Sequence, residues 1–129
     1  MSTDRRGMDR ARRELEAAEL LASHGFAAPA VSRAYYAAFY AAEEALGLVG
    51  VVRSKHSGVV AAVATVLVRQ HGLDAEAGRL LRSLFERRSR ADYSLDDTPT
   101  QEAIQAVTDA STVVSAIRCW MATRGDPEE

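Results

Sequence analysis

The stretch that decides the fold is residues 30 to 46, which read AVSRAYYAAFYAAEEAL. Tyr35 and Phe39 are four residues apart, and so are Tyr36 and Tyr40, which places two aromatic rows on adjacent faces of one helix. The many alanines between these rings let neighbouring helices approach closely, because each carries only a methyl group. The stretch therefore predicts a helix that lies against several others. Its aromatic rows are interpreted as core packing, or alternatively as the wall of a groove shared with Arg33.

Helical patterns also occupy the chain on both sides of this stretch. Residues 8 to 23 and 75 to 92 are predicted helices, the first with an apolar stripe and the second with Asp74 as its N-cap. Residues 57 to 70 are apolar nearly all round, which predicts the most buried helix. A parallel strand is the alternative, but the length and the alanines favour a helix. The last helix is predicted over residues 99 to 123, with Thr98 as its cap and Pro99 as its first residue.

Glycine and proline mark the boundaries between these helices. Gly25 is predicted to end the first helix and Pro29 to begin the second, since a proline is harmless where no backbone donor is needed. Residues 47 to 54 are interpreted as a loop that packs its valines onto the bundle, and residues 94 to 98 as a turn. Links of three to ten residues favour antiparallel neighbours. The expected fold is all-α, an up-and-down bundle of four to five helices.

Composition agrees with one globular domain over residues 1–129, with its core at about 8–122. The chain has 129 residues, of which 47% are hydrophobic and 26% charged, and a net charge of −2. No apolar run reaches the length of a membrane span, and the charged N-terminus argues against a secretory signal, so the protein is expected to be cytoplasmic. Cys119 stands alone and is expected to be a buried, unreactive thiol. No histidine pair has ligand spacing, so no metal or other cofactor is expected.

The segment from Arg87 to Tyr93 reads RRSRADY and ends the fourth predicted helix. Asp92 is disfavoured there because a helix C-terminus carries partial negative charge. Arg88, four residues earlier, could pair with it, but such a surface pair stabilises by only about 0.3–0.5 kcal/mol. An ion pair with Arg33 across the helices is the preferred interpretation.

A second segment, Lys55-His56-Ser57-Gly58, lies at the start of the third predicted helix. Backbone N–H groups at a helix start favour an anion, and Lys55 with a protonated His56 would add to the attraction. The structural alternative is that Ser54 or Ser57 is an N-cap.

Together, Arg33-x-Tyr35-Tyr36, Lys55-His56-Ser57-Gly58 and the helix end Arg88-x-x-Ala91-Asp92-Tyr93 resemble a branch of the HEPN domain family over about residues 8 to 122. The resemblance implies a bundle of four to five helices that homodimerises, often encoded beside a nucleotidyltransferase as a toxin–antitoxin pair. Many members are metal-independent endoribonucleases, in which an arginine is followed after four to six residues by a histidine. Arg88 matches that arginine, but Tyr93 stands at the position of the histidine.

Three hypotheses follow for the function. In the first, the protein binds RNA or a nucleotide and cleaves RNA without a metal, with Arg88 on the phosphate, Tyr93 as a hydrogen-bond donor and His56 as a proton acceptor. Tyr36, Lys55 and Ser57 would contribute to binding, and Asp92 would orient Arg33 or Arg88. The second is a non-catalytic dimeric module that engages a nucleotidyltransferase. The third is a structural bundle locked by Arg33 and Asp92.

Overall fold

The computed structural model describes residues 6–93 and 97–124, and within them the predicted all-α bundle is confirmed. The first two helices, α1 and α2, precede a short helix, α3, that continues without a break into a π-helical segment. Two long helices, α4 and α5, complete the described part of the chain. The bounds are α1 Arg6–Ser23, α2 Ala27–Leu48, α3 His56–Ala62, π segment Val63–Val68, α4 Ala75–Tyr93 and α5 Thr100–Thr123.

Helix α2 lies at the centre of the bundle and packs against α1, α4 and α5. Its alanines face these neighbours, and seven of them are completely buried: Ala30, Ala34, Ala37, Ala38, Ala41, Ala42 and Ala45. The prediction that residues 57 to 70 form the most buried helix is wrong. That segment lies at the edge of the bundle, where Ala61 and Thr65 face solvent. Apolar residues on every side of this helix therefore did not mean that other helices cover every side of it.

Three glycines mark the turns between helices. Gly25, Gly50 and Gly72 have backbone φ angles of 84°, 79° and 77°. Residues other than glycine rarely adopt these angles. Helix α2 starts earlier than predicted, so Pro29 is its third residue. A proline is tolerated there because the first four N–H groups of a helix have no acceptor within it. Helix α2 also continues to Leu48, so it includes the first two residues of the predicted loop, 47 to 54.

The loop after α2 only partly matches its prediction. Val49 and Val51 pack against the core, but Val52 is 83% exposed. The loop leads into Lys55, which precedes α3 in an extended conformation and makes no side-chain capping bond. The expectation that Ser54 or Ser57 caps this helix is therefore wrong.

Helices α4 and α5 are joined by several polar contacts. Arg87 donates to Asp109 at 2.9 Å and lies 3.9 Å from Glu102, and the side chains of Arg87 and Asp109 are only 13% and 14% exposed. The expected Asp74 cap is confirmed by its 3.0 Å bond from the Glu76 N–H. At the start of α5, Pro99 itself is the N-cap, so this helix begins one residue later than predicted. Residues 94 to 96 of the predicted turn lie outside the described residues.

The surface of the bundle corrects one further expectation. Cys119 is exposed, because Ile117, Trp120 and Met121 occupy the buried face of α5 and Cys119 points away from it. None of the described helices combines the length and the apolar character needed to cross a membrane.

Candidate functional site

His56, the first residue of α3, is held against the aromatic face of α2. Its Nδ1 lies 2.9 Å from the hydroxyl oxygen of Tyr35. Its ring stacks on Phe39 with the ring centroids 4.1 Å apart, and it meets Tyr36 edge-on at 5.7 Å. Three rings of α2 thus fix the position of the imidazole, while the histidine remains half-buried.

Arg88 reaches the same aromatic rings from α4. Its guanidinium carbon lies 5.1 Å from the centre of the Tyr35 ring and 5.5 Å from that of Tyr36, which is the geometry of a cation–π contact. Its side chain is only 14% exposed, and its Nη1 donates to Asp92 at 3.3 Å. The local pair with Asp92, which had been the less favoured interpretation, is therefore the one that forms.

Arg88 and His56 consequently converge, although 32 positions separate them in the sequence. Arg88, His56, Tyr35, Tyr36 and Phe39 are referred to below as the Arg88–His56 cluster. Three helices contribute to it, α2 with the rings, α3 with the imidazole and α4 with the guanidinium. The packing of α2 against α4 and α3 brings the three helices together at this point.

The electrostatic environment keeps the imidazole neutral at pH 7. Burial lowers the pKa of His56, the positive charge of Arg88 lowers it further, and the carboxylate of Glu43 opposes the shift. Burial likewise raises the pKa of the Tyr35 hydroxyl well above its usual range, although Arg88 acts in the opposite direction. The cluster therefore presents one permanent cation, one neutral imidazole and the protonated phenol of Tyr35.

This arrangement suits an anion that carries a flat group. Guanidinium and imidazole N–H groups bind phosphate oxygens, and aromatic or guanidinium planes stack on nucleobases. Among residues 6–93 and 97–124, no three histidine, cysteine or acidic side chains lie close enough together to hold a metal ion.

Arg33 pairs with a different acid from the one expected. Its Nη1 donates to both carboxylate oxygens of Glu14, at 2.9 and 3.2 Å, and its guanidinium lies 4.9 Å from the Tyr36 ring. The predicted lock between Arg33 and Asp92 is therefore wrong. Helix α1 lies alongside α2 and offers Glu14 on the same side as Arg33, whereas Asp92 pairs with Arg88 on its own helix.

A double-mutant cycle tests this pairing. We expect a coupling of about 0.5 kcal/mol between Arg33→Ala and Glu14→Ala, because the two side chains are 39% and 19% exposed and water screens the pair. The matched cycle on Arg33 and Asp92 is expected to give a coupling near zero. Unfolding in urea measures both cycles, and a larger coupling to Asp92 than to Glu14 would contradict the pairing.

The remaining predicted residues surround the cluster without joining it. Lys55 and Ser57 flank His56 in sequence and are exposed, and Tyr40 packs under Arg10, whose Cζ lies 4.0 Å from its ring. Tyr93 is 79% exposed at the end of α4. The side chain of Tyr93 therefore faces solvent and not the core.

Two members of the cluster, and one nearby carboxylate that acts on it, were not predicted as site residues. Tyr35 bonds to His56, Phe39 stacks on it, and the charge of Glu43 acts on it. A signal for the first two did exist, because Tyr35 and Phe39 form one of the two aromatic rows on α2. Nothing in the sequence indicated that His56 would lie on that row.

Most of the chain matches the model of one known domain family. The HEPN domain model matches residues 5–120, which include every helix that contributes to the cluster. The chain therefore belongs to the HEPN domain family, as the three segments of the sequence indicated.

Individual relatives come from bacteria and archaea. A UPF0332 protein of Thermotoga maritima is 39% identical over 84 residues, which cover 65% of this chain and 64% of that protein. A Methanocaldococcus jannaschii protein named "Putative toxin MJ0605" is 30% identical over 108 residues, or 84% of this chain and 81% of that protein. A second protein from the same organism, "Putative toxin MJ0142", is 34% identical over 86 residues, or 67% of this chain and 58% of that protein. The chain is thus a HEPN protein, and two of these relatives carry the name "Putative toxin".

Proposed function

We propose that this HEPN protein belongs to a toxin–antitoxin or stress-response system and binds RNA or a nucleotide at the Arg88–His56 cluster. The observation that carries the proposal is the convergence of Arg88 and His56, from two helices, on the rings of Tyr35 and Tyr36. The toxin names of two relatives support the biological setting.

In this proposal each group has a separate task. Arg88 binds a phosphate oxygen, because its charge is permanent and its planar fork suits phosphate. Tyr36, which is partly exposed, provides an aromatic ring on which a base can stack. Asp92 orients Arg88 through their 3.3 Å bond. Lys55 and Ser57 lie on the exposed side of His56 and would contact the backbone of a longer RNA.

The experiment compares Arg88→Ala with Arg82→Ala, an exposed arginine on the same helix that is removed from the cluster. Binding of a fluorescent single-stranded RNA is followed by anisotropy in EDTA at several salt concentrations. We expect Arg88→Ala to weaken binding about tenfold and to reduce the salt-dependence slope by about one. Arg82→Ala removes the same charge and is expected to have little effect.

Two outcomes would overturn the proposal. Equal losses in the two variants would mean that binding depends on overall charge and not on the cluster. Wild-type protein that binds neither RNA nor a mononucleotide would remove it altogether. Circular dichroism of both variants shows whether the helices are retained, so that a folding defect is not mistaken for a binding defect.

Cleavage of RNA is a further step that the same samples can report. Arg88 and Tyr93 correspond to the family's arginine and histidine positions, but a phenol is a poor proton acceptor at neutral pH. At the position of the family's histidine, Tyr93 would act only as a hydrogen-bond donor. His56 would then be the remaining candidate for the proton acceptor. Products formed in EDTA that disappear in Arg88→Ala would make the protein a metal-independent endoribonuclease.

The exposed position of Tyr93 favours a second candidate function, a non-catalytic homodimeric module that engages a nucleotidyltransferase. Several large apolar side chains besides Tyr93 are also exposed and could serve as contact surface: Leu20, Phe26, Leu48, Val52 and Ile104. Light scattering gives the oligomeric state, and co-expression with a nucleotidyltransferase encoded next to this chain tests the partner. A stable complex without RNA binding would select this function over the first.

A further inference from the structure

The side chain of Tyr35 is completely buried in the core, and its hydroxyl is the one polar group that it carries there. Tyr35 is 0% exposed, and its oxygen lies 2.9 Å from Nδ1 of His56. A tyrosine hydroxyl has one proton to donate, and buried donors are rarely left without an acceptor. The direction of this one hydrogen bond decides which nitrogen of His56 carries the proton.

We infer that the Tyr35 hydroxyl donates to Nδ1 of His56 and thereby holds the neutral imidazole with its proton on Nε2. In the opposite arrangement Nδ1 would donate to the tyrosine oxygen, and the phenol proton would need another acceptor. Within residues 6–93 and 97–124 no other side-chain acceptor bonds to that hydroxyl. The neighbouring Arg88 cannot serve, because a guanidinium has only donors.

The charges around the imidazole agree with this assignment. The guanidinium of Arg88 lies over the Tyr35 ring, and a cation there disfavours additional positive charge on His56. Glu43 is the acidic group that acts on the imidazole, and it opposes Arg88 only in part. Phe39 covers one face of the ring and Tyr36 meets it edge-on, so packing also restricts rotation of the imidazole.

This inference rests on the proposed function and gives His56 a defined role within it. With Nδ1 occupied by Tyr35, the opposite ring nitrogen is the one that can face a ligand. It would donate a hydrogen bond to a phosphate oxygen beside Arg88. In this tautomer His56 could not take the proton of a ribose 2′-hydroxyl, so the inference speaks for binding and against the role of proton acceptor considered above for cleavage. Tyr35 is then a positioning residue, because it acts on the ligand only through His56.

Nitrogen NMR of the full chain tests the tautomer directly. With ¹⁵N-labelled histidine at pH 8, we expect Nδ1 of His56 to resonate as a nitrogen without a proton and Nε2 as one that carries a proton. His24 and His71 provide internal references, and His56→Gln identifies the His56 signals by their loss. In Tyr35→Phe, which keeps the ring and removes only the oxygen, the Nδ1 resonance should move. A proton on Nδ1 in the wild type, or an unmoved resonance in Tyr35→Phe, would overturn the inference.

RNA binding by two His56 variants tests the donor role. Alanine removes the donor and is expected to weaken binding about tenfold, as for a hydrogen bond to a charged group. Glutamine supplies an N–H group but no base, and we expect it to recover part of that loss. A glutamine variant as weak as the alanine variant would contradict the donor role. If the wild type binds no RNA while Nε2 carries the proton, the proposed function is overturned and the role of Tyr35 is upheld.

Discussion

Replacing Leu84 by alanine is expected to lower the free energy of unfolding by about 2–5 kcal/mol. Leu84 is completely buried on α4, one turn before Arg88, so its removal leaves a cavity where α4 packs on the core. The loss is a large part of the 5–15 kcal/mol that is typical for a domain. Urea unfolding followed by circular dichroism measures it.

The matched control is Leu20→Ala on α1, which makes the same chemical change at a side chain that is 61% exposed. We expect this variant to change stability by less than about 0.5 kcal/mol. Similar losses at the two positions would mean that Leu84 is not buried as described.

Removing the charge of Arg87 is expected to destabilise the protein by about 2–4 kcal/mol in Arg87→Ala. The reason is that Asp109 would keep its negative charge between α4 and α5 without the cation that now lies 2.9 Å away. Breaking one side of a buried ion pair costs more than the pair itself contributes, because the remaining charge has already lost its water. Residual exposure of both side chains places the expected value below that of a fully enclosed pair.

Two further variants separate this explanation from a simple loss of packing. Arg87→Ala combined with Asp109→Ala should recover part of the stability, since the largely buried charge of Asp109 is then removed as well and Glu102 is 35% exposed to water. Arg79→Ala breaks an exposed pair with Glu76 on the same helix and should leave the urea midpoint unchanged. If the double variant is less stable than Arg87→Ala by the full effect of Asp109→Ala, the two residues are independent and the explanation is wrong.

Most of the bundle could be predicted because its local signals agree with its tertiary contacts. Gly25 and Gly72 end helices with a backbone conformation that glycine adopts readily, and Asp74 caps α4 as its side chain allows. Errors arose where tertiary context decides. Cys119 lies among apolar neighbours in sequence but on the exposed side of α5, and the apolar third helix is only partly covered. Apolar sequence indicates burial only when the orientation of the helix is known.

The candidate site could likewise be predicted only in part from the sequence. Arg88 and His56 could be selected from the sequence because their segments resemble a family pattern, and the structure brings both to the same rings. The role of Tyr35 could not be predicted, because its partner lies 21 residues away across a loop whose path the sequence does not specify. The pairing of Arg33 with Glu14 was missed for the same reason, because the chain has 18 acidic residues and only the helix arrangement decides which of them lies beside Arg33.

The alanines of α2 have a consequence for how such a scaffold could diversify. Each of the seven enclosed methyl groups leaves too little room for a larger side chain, so this helix has very few acceptable substitutions on its inward faces. New ligand specificities would therefore arise by exchanging residues at the beginning of α3 and the end of α4, which approach the tyrosines from outside. Over evolutionary time the aromatic platform would stay constant while the groups brought to it change.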